Sequence, residues 1–225
     1  MKTITVKGVG KASAPVDTVE LSFRIWEKNK DYAAALKGAS DKVDALERAL
    51  VRAGFPKEDF QADSFHVNTE YEGVRDPDGE YRNVFAGYVC TYEQRLCFDF
   101  DVARLSKALN AVAKSKAQPE LNVSFTVKQP ELLQAQLLEN AAESARTRAE
   151  ILCRASGMRL GELQTIEYDV AHLSFRSNTM MDVAECAAPM LAGSAKRSMA
   201  ANFRPQDIDL QDSAVFVWEL LPEEA

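Results

Sequence analysis

Alternation of apolar and polar residues predicts seven β-strands in this chain. The clearest covers residues 19–25, where Val, Leu, Phe and Ile alternate with polar or charged residues, which is the period of a strand with one buried face. The other six cover residues 4–6, 65–71, 88–100, 121–127, 163–170 and 215–221. Gly8, Gly10 and Pro15 follow the first strand. Because glycine and proline interrupt regular structure, they predict that this strand ends near residue 6.

Three stretches have apolar residues at steps of three or four, the spacing of an amphipathic helix. The first begins after the N-cap residue Asp31 and ends before Gly54, and the second begins after Asp101. The third and longest follows Pro130 and ends at Gly157. Its predicted buried stripe is rich in small residues: Ala135, Leu137, Leu138, Ala141, Ala142, Ala145, Ala149 and Leu152. Small side chains on that stripe let the helix lie close to its neighbour.

These elements predict an α+β fold in which antiparallel sheets with a long hairpin pack against three main helices. The hairpin turns at residues 75–80, which contain the turn residues Pro and Gly. A chain of 225 residues can form a single domain over 1–225, or two intimately packed subdomains. Residues 172–205 follow neither period and are rich in Ala, Met and Ser. We expect a long loop there, either a plain excursion or a surface for a partner.

Composition and charge exclude several classes of partner. The hydrophobic fraction of 46% and the charged fraction of 27% are those of an ordinary globular protein. The net charge of -7 argues against binding to nucleic acid or to anionic lipid. The first residues alternate instead of forming the apolar stretch of a secretory signal, and no run approaches the ~20 apolar residues of a membrane span. We therefore expect a soluble, cytoplasmic protein.

No arrangement of residues in the sequence identifies an enzyme. The sequence lacks the catalytic-serine, phosphate-loop, dinucleotide-binding and zinc-protease motifs. Residues 8–11, Gly-Val-Gly-Lys, lack the rest of a phosphate loop and are interpreted as a turn. The two histidines, His66 and His172, are too few to build a metal site from scattered carboxylates. His66 falls on the face opposite Phe65 and Val67, so we expect a solvated or interface histidine.

Two further groups are weak candidates for ion binding or redox chemistry. The carboxylates at 76, 78 and 80 lack the rest of a calcium-binding loop, so the segment 76–80 is interpreted as a hairpin turn. The cysteines Cys90, Cys97, Cys153 and Cys186 form no CxxC pair or zinc ligand set. We expect reduced, mostly structural thiols, with Cys186 the one exposed. The sequence thus assigns no catalytic, cofactor-binding or metal-binding residue.

The order of several motifs resembles the SIMPL domain family. Those motifs are Ile4-x-Val6-x-Gly8-x-Gly10 before Pro15 and Asp17, then Ala53-Gly54, Tyr71, Gly87-Tyr88, the run Ala155-Ser156-Gly157-Met158-Arg159-Leu160-Gly161 and the strand at 214–220. The resemblance implies an α+β fold with antiparallel strands, self-assembly in some members, and no established activity or catalytic residues. Many members are exported. Val16 separates Pro15 from Asp17 here, which departs from the family pattern.

Two hypotheses on function come from these observations. In the first, the chain is a non-enzymatic interaction module that forms a homo-oligomer or binds a protein partner through strand edges, the long hairpin or the Met-rich loop. In the second, it is a small-molecule binding protein or an enzyme with a cleft lined by Tyr71, Tyr88, Tyr92 and Trp218. Aromatic residues in strands usually lie in the core, so the first is preferred. Neither hypothesis requires a cofactor.

Overall fold

The computed structural model of the chain describes residues 2–75, 80–169, 173–179, 181 and 203–222. These residues form strands and helices in the order β1 (Thr3–Ala14), β2 (Thr18–Asn29), α1 (Tyr32–Arg52), β3 (Phe60–Arg75), β4 (Tyr81–Asp99), α2 (Val102–Lys114), β5 (Glu120–Thr126), α3 (Pro130–Ala155), β6 (Met158–Glu167) and β7 (Ile208–Pro222). The predicted α+β class is confirmed, because antiparallel strand pairs and three helices build the described part of the chain.

The chain divides into two compact units. The first unit contains residues 1–16, 126–178 and 205–225, and the second contains residues 17–125 and 179–204. In the first, the strand order is β1-β7-β6 and α3 packs on the sheet. In the second, the order is β3-β4-β2-β5, and α1 packs on β2 and β4. Strand β7, the last in the sequence, is therefore the central strand of its sheet.

Gly8 and Gly10 lie inside β1, so the prediction that they end the strand was wrong. β1 continues to Ala14 and pairs with β7 from Thr3↔Glu219 to Ala14↔Ile208. A Cβ atom on Gly8 would collide with the backbone carbonyl of Ala141, and one on Gly10 with that of Leu137. The glycines are needed because α3 lies directly against this strand, and a strand glycine commonly marks such a close approach of another backbone.

The buried face of α3 is narrower than predicted. It is one row at steps of four: Leu133, Leu137, Ala141, Ala145, Ala149 and Cys153. Ala135, Ala142 and Leu152, which the sequence analysis placed on the buried stripe, are exposed. Because the glycines of β1 bring the strand so near, only this single row of small and medium side chains fits against it.

The helices of the second unit begin where the sequence predicts, and α1 also ends where it predicts. The side chain of Asp31 accepts a hydrogen bond from the backbone N–H of Ala34 at 2.8 Å, and that of Asp101 from Arg104 at 2.6 Å. Gly54 follows the end of α1 with φ +96°, the left-handed conformation that glycine adopts readily. The predicted apolar face of β2 is also confirmed, because Val, Leu, Phe and Ile at 19, 21, 23 and 25 are all buried.

Several strands are longer than the sequence pattern indicates. β7 begins at Ile208, seven residues before the predicted start at 215, and β6 begins at Met158 instead of 163. Asp212 lies on the inner face of β7 and is buried, which breaks the alternation that the prediction relied on. Most of the predicted loop at 172–205, with His172 and Cys186, lies outside the described residues, as do residues 76–79 of the hairpin turn.

Candidate interaction surface

Strands β3 and β4 continue beyond the four-stranded sheet as a two-stranded ribbon. β2 ends at Asn29, which pairs with Tyr88 of β4. Past that point β3 is the only pairing partner of β4 among the described strands, from Glu70↔Gly87 to Arg75↔Tyr81. We call residues 70–75 and 81–87 the ribbon. Every described residue of the ribbon is exposed except Ala86 and Gly87 at its base.

A β-bulge marks the place where the ribbon leaves the sheet. Tyr71 pairs with Phe85 and Glu70 with Gly87, so Ala86 is the extra residue on β4. Gly87 has φ +145°, and a Cβ atom there would lie 2.8 Å from the carbonyl oxygen of Asn29. A bulge increases local twist and redirects a strand. The glycine therefore lets β4 turn away beside the end of β2. It lies inside β4, which begins at Tyr81 and not at the predicted residue 88.

Aromatic rings line the side of the ribbon that continues from the helix-covered face of the sheet. Tyr32 of α1 contacts Tyr88 with a centroid distance of 5.4 Å, Tyr88 contacts Phe85 at 5.2 Å, and Phe85 contacts Tyr71 at 6.0 Å. We call these four residues the aromatic row. Tyr32 is 51% exposed, Tyr71 58% and Phe85 37%. Further out, Arg75 stacks on the exposed ring of Tyr81 at 5.5 Å.

The aromatic row continues the face of the sheet that α1 covers. On the sheet itself, Ala35 and Ala39 of α1 cover Cys90, Val67 and Tyr88. Helix α1 begins at Tyr32, so nothing in the described part of the chain covers the same face of the ribbon beyond that residue. The ribbon's opposite face also carries exposed apolar side chains, at Val74 and Val84. Contiguous exposed aromatic and β-branched side chains of this kind usually mark an interaction surface.

Ion pairs hold the base of the ribbon on its other face. Lys28, near the end of β2, contacts Glu72 at 2.8 Å and Glu70 at 3.1 Å. Hydrogen bonding to Glu72 and then to Glu70 raises the pKa of Lys28, and the same bond to Lys28 lowers the pKa of Glu72. All three groups meet solvent, so the pairs orient the ribbon more than they stabilise the fold.

A buried acid lies in the first unit, on the central strand β7. Asp212 on β7 is 6% exposed, and its carboxylate accepts hydrogen bonds from the hydroxyl of Tyr168 at 2.9 Å and from the backbone N–H of Ser213 at 2.7 Å. The bond to Asp212 raises the pKa of Tyr168. Sequence reasoning missed this pair, because the only signal was an acid at an inward position of a strand.

The residues of the aromatic-cleft hypothesis lie in two different units. Tyr71, Tyr88 and Tyr92 lie on β3 and β4, and Trp218 stacks on Phe216 in the core of the three-stranded sheet at a centroid distance of 5.5 Å. Trp218 is thus unavailable to line a cleft. Phe65 contacts Tyr92 at 5.7 Å and extends the exposed aromatic surface at the edge strand β3.

The weak candidates for chemistry have ordinary surroundings. His66 is half-buried opposite Thr91, on the side of the sheet away from α1. Cys90 and Cys153 are buried free thiols, and burial raises the pKa of both. Cys97 is exposed, so the expectation that Cys186 is the one exposed cysteine was wrong. Within the described ranges, no cluster of three His, Cys, Asp or Glu side chains has the geometry to hold a metal ion. No helix in those ranges is long and apolar enough to cross a membrane.

Comparison with known proteins identifies the family. A family model named SIMPL, described as "Protein of unknown function (DUF541)", matches residues 4–218, which span both units. The chain belongs to the SIMPL family. A relative in this family is the "Uncharacterized protein YggE" of Edwardsiella ictaluri (strain 93-146), which is 24% identical over 217 residues, covering 96% of this chain and 86% of the relative. The family resemblance drawn from the order of the motifs is therefore confirmed. Neither the description of the SIMPL family nor that of its YggE relative assigns an activity.

Proposed function

We propose that this SIMPL-family chain is a non-enzymatic protein that works by self-assembly, with the ribbon as its contact surface. The exposed outer part of the aromatic row, Tyr71 and Phe85, carries the proposal. Tyr71 and Phe85 expose large rings side by side on a strand pair that has no other layer in the described part of the chain. Burying such rings against a second copy would remove apolar surface from water at roughly 25 cal/mol per Å².

The strand geometry supports the same proposal. A two-stranded ribbon alone is at best marginally stable in water, and it gains stability when a third strand or another layer packs on it. β3 is also an edge strand along its whole length, so its outer backbone groups can pair with another strand. A second copy would supply both a layer for the ribbon and a strand for the edge of β3. In such a self-complementary contact, each copy uses the same surface.

Absolute mass in solution tests the proposal. We expect light scattering behind a sizing column to give the wild-type chain a mass of at least twice 24.9 kDa. The double variant Tyr71→Ser, Phe85→Ser should shift toward the monomer mass, because it removes two rings of the aromatic row. Leu132→Ser serves as the matched control, since Leu132 is 65% exposed on α3 in the other unit, and it should leave the mass unchanged.

Two results would contradict self-assembly through the ribbon. A wild-type mass of 24.9 kDa at every concentration tested would exclude stable assembly of the chain. An oligomer that persists unchanged in the double variant would place the contact elsewhere. Circular dichroism of the variant distinguishes loss of assembly from loss of fold, because both substituted side chains lie outside the buried core.

We also propose that the two units act together as one domain over residues 1–225. The chain, in this proposal, works in the cytoplasm without a cofactor. The free thiols at Cys90 and Cys153 suit a reducing compartment. Fractionation of the source cells, with thiol labelling of the isolated protein, tests this placement. Recovery of the chain outside the cytoplasm would contradict it.

A further inference from the structure

A second surface lies in the four-stranded unit, between the C-terminal halves of α1 and α2. The two helices form an open cavity of about 690 Å³, lined by Ala49, Arg52, Ala53, Lys107, Asn110, Ala111 and Lys114. We call it the helix groove. Its volume is in the range of small-molecule sites. Three of its seven lining residues are cations, and none is an acid.

Within the residues that the structure describes, the cations of the groove have no acidic partner, in contrast to cations of the neighbouring sheet. Arg24, Lys28 and Arg95 of the sheet each contact a carboxylate within 4 Å. Arg52, Lys107 and Lys114 make no ion pair or hydrogen bond within the described part of the chain. This local excess of positive charge occurs in a protein whose net charge is -7.

The helix sequences keep the charges together. α2 contains Arg104, Lys107 and Lys114 but no acidic residue. Lys107 and Lys114 are seven positions apart, so they lie on one face of the helix. Arg104 is occupied elsewhere, because its guanidinium stacks on Phe55 and Phe98 at 5.3 Å. An anion bound along this face could therefore contact both lysines.

Helix ends offer a structural explanation for two of the cations. Arg52 and Lys114 lie in the last turns of α1 and α2, where positive charge is favoured. Some carbonyls of these turns already have backbone partners: the N–H of Ala53 hydrogen-bonds to carbonyls of residues 49–51, and that of Ser115 to those of residues 111 and 112. Lys107 is in the middle of α2 and gains nothing from a helix end. A substitution of Lys107 therefore tests ligand binding without removing a favourable charge from a helix end.

We infer that the helix groove binds a small anion with several negative charges, of the polyphosphate or polycarboxylate class. Three cations can match several charges at once, with Arg52 able to hold an oxyanion through two parallel N–H donors. The floor consists of alanines, which leave room for a ligand but offer no large apolar anchor for a protein partner. Asn110 donates its amide to the carbonyl of Ser106 at 2.7 Å, so its side-chain oxygen remains as an acceptor for a ligand hydroxyl.

Calorimetric titration with tripolyphosphate and with citrate tests the inference. We expect one of these probes to bind wild-type protein, more weakly as salt increases, and to raise the melting temperature. Lys107→Gln, Arg52→Gln and Lys114→Gln should each weaken binding roughly three- to tenfold. The matched control is Lys37→Gln, which removes the same charge from an exposed position of α1 outside the groove and should change binding less than about twofold.

The variants also supply the results that would overturn the inference. Binding of neither probe would do so, and so would an equal loss in Lys37→Gln and Lys107→Gln, which would indicate only attraction to overall charge. Urea unfolding of Lys107→Gln without ligand should match that of Lys37→Gln, so that a loss of binding is not a loss of fold. The solution mass of each groove variant, measured in parallel, shows whether self-assembly has changed. A failure of anion binding is thereby distinguished from a failure of the ribbon proposal.

Discussion

Gly8 and Gly10 occupy positions where any larger residue would strike the backbone of α3. We predict that Gly10→Ala lowers the free energy of unfolding by about 1–3 kcal/mol, as is typical of overpacking. The colliding atom is a main-chain carbonyl of Leu137, which cannot rotate away as a side chain could. Urea denaturation monitored by circular dichroism measures the change.

Gly73 provides the control for that substitution. It lies in β3, and the nearest atoms to a Cβ there are 3.9 and 4.0 Å away, on Tyr81 and Asn83. Gly73→Ala should therefore change the unfolding free energy by less than about 0.5 kcal/mol, or stabilise slightly. If Gly10→Ala proved as harmless as Gly73→Ala, α3 would lie farther from β1 than described.

Tyr168 predicts a pH dependence of stability at the alkaline end. Its pKa is raised above the ordinary value of 10.0, first by the hydrogen bond to Asp212. A group whose pKa is higher in the folded state stabilises the fold below its unfolded pKa, and this contribution is lost as the pH rises through the folded pKa. Wild-type protein should therefore lose stability above pH 10 faster than Tyr168→Phe does.

Paired denaturation curves of wild type and Tyr168→Phe across the alkaline range measure this difference. At neutral pH the variant should be the less stable of the two, because its buried Asp212 loses a donor. Asp169 also raises the pKa of Tyr168, while Gln134 hydrogen-bonds its hydroxyl and lowers it. Parallel curves at every pH would mean that the Tyr168–Asp212 bond does not form.

At the scale of elements, the N-cap of α1 gives a simple test. Asp31→Ala removes the acceptor for the backbone N–H of Ala34 and should lower the unfolding free energy by about 1 kcal/mol. Asp31→Ser should recover most of the loss, because serine is also a good N-cap. Asp41→Ala, at an exposed position within the same helix, is the charge-matched control. Equal effects of Asp31→Ala and Asp41→Ala would argue against a capping role.

Elements differ in how far the sequence predicts them. Helix ends depend on local chemistry, so Asp31, Asp101 and Gly54 were sufficient to place them. Strand ends depend on distant partners. β1 runs through Gly8 and Gly10 because β7 pairs with it from about two hundred residues away, a pairing that no local pattern contains. The order of the motifs was sufficient to predict the family, but the family indicated no functional site.

The candidate surfaces were predictable only in part. The long hairpin was predicted from the sequence, and Tyr71 was named there as part of an aromatic-lined cleft. The exposure of Tyr71 and Phe85 was not predicted, because it depends on where β2 ends and α1 begins relative to β4. The helix groove was missed altogether, since a cation in a helix is normally solvated. Only the packing of α1 beside α2 brings Arg52 near Lys107.

For the whole molecule, self-assembly predicts that stability depends on concentration. If the ribbon contact forms only between folded copies, the apparent melting temperature of the wild type should rise with protein concentration. The double variant Tyr71→Ser, Phe85→Ser should melt at one temperature throughout. A differential scanning series at several concentrations measures both. Equal slopes for the two proteins would contradict a role of the aromatic row in assembly.

The central position of β7 determines the order in which the chain can fold during its synthesis. Thr3 of β1 pairs with Glu219 of β7, so the first strand leaves the ribosome with no partner. At roughly 5–20 residues per second, that wait lasts on the order of 10–40 s. Residues 17–125, which form most of the second unit, emerge meanwhile and need no later strand for their sheet. The newly made chain therefore passes through a stage with one unit folded and β1 open to chaperones or to wrong pairing.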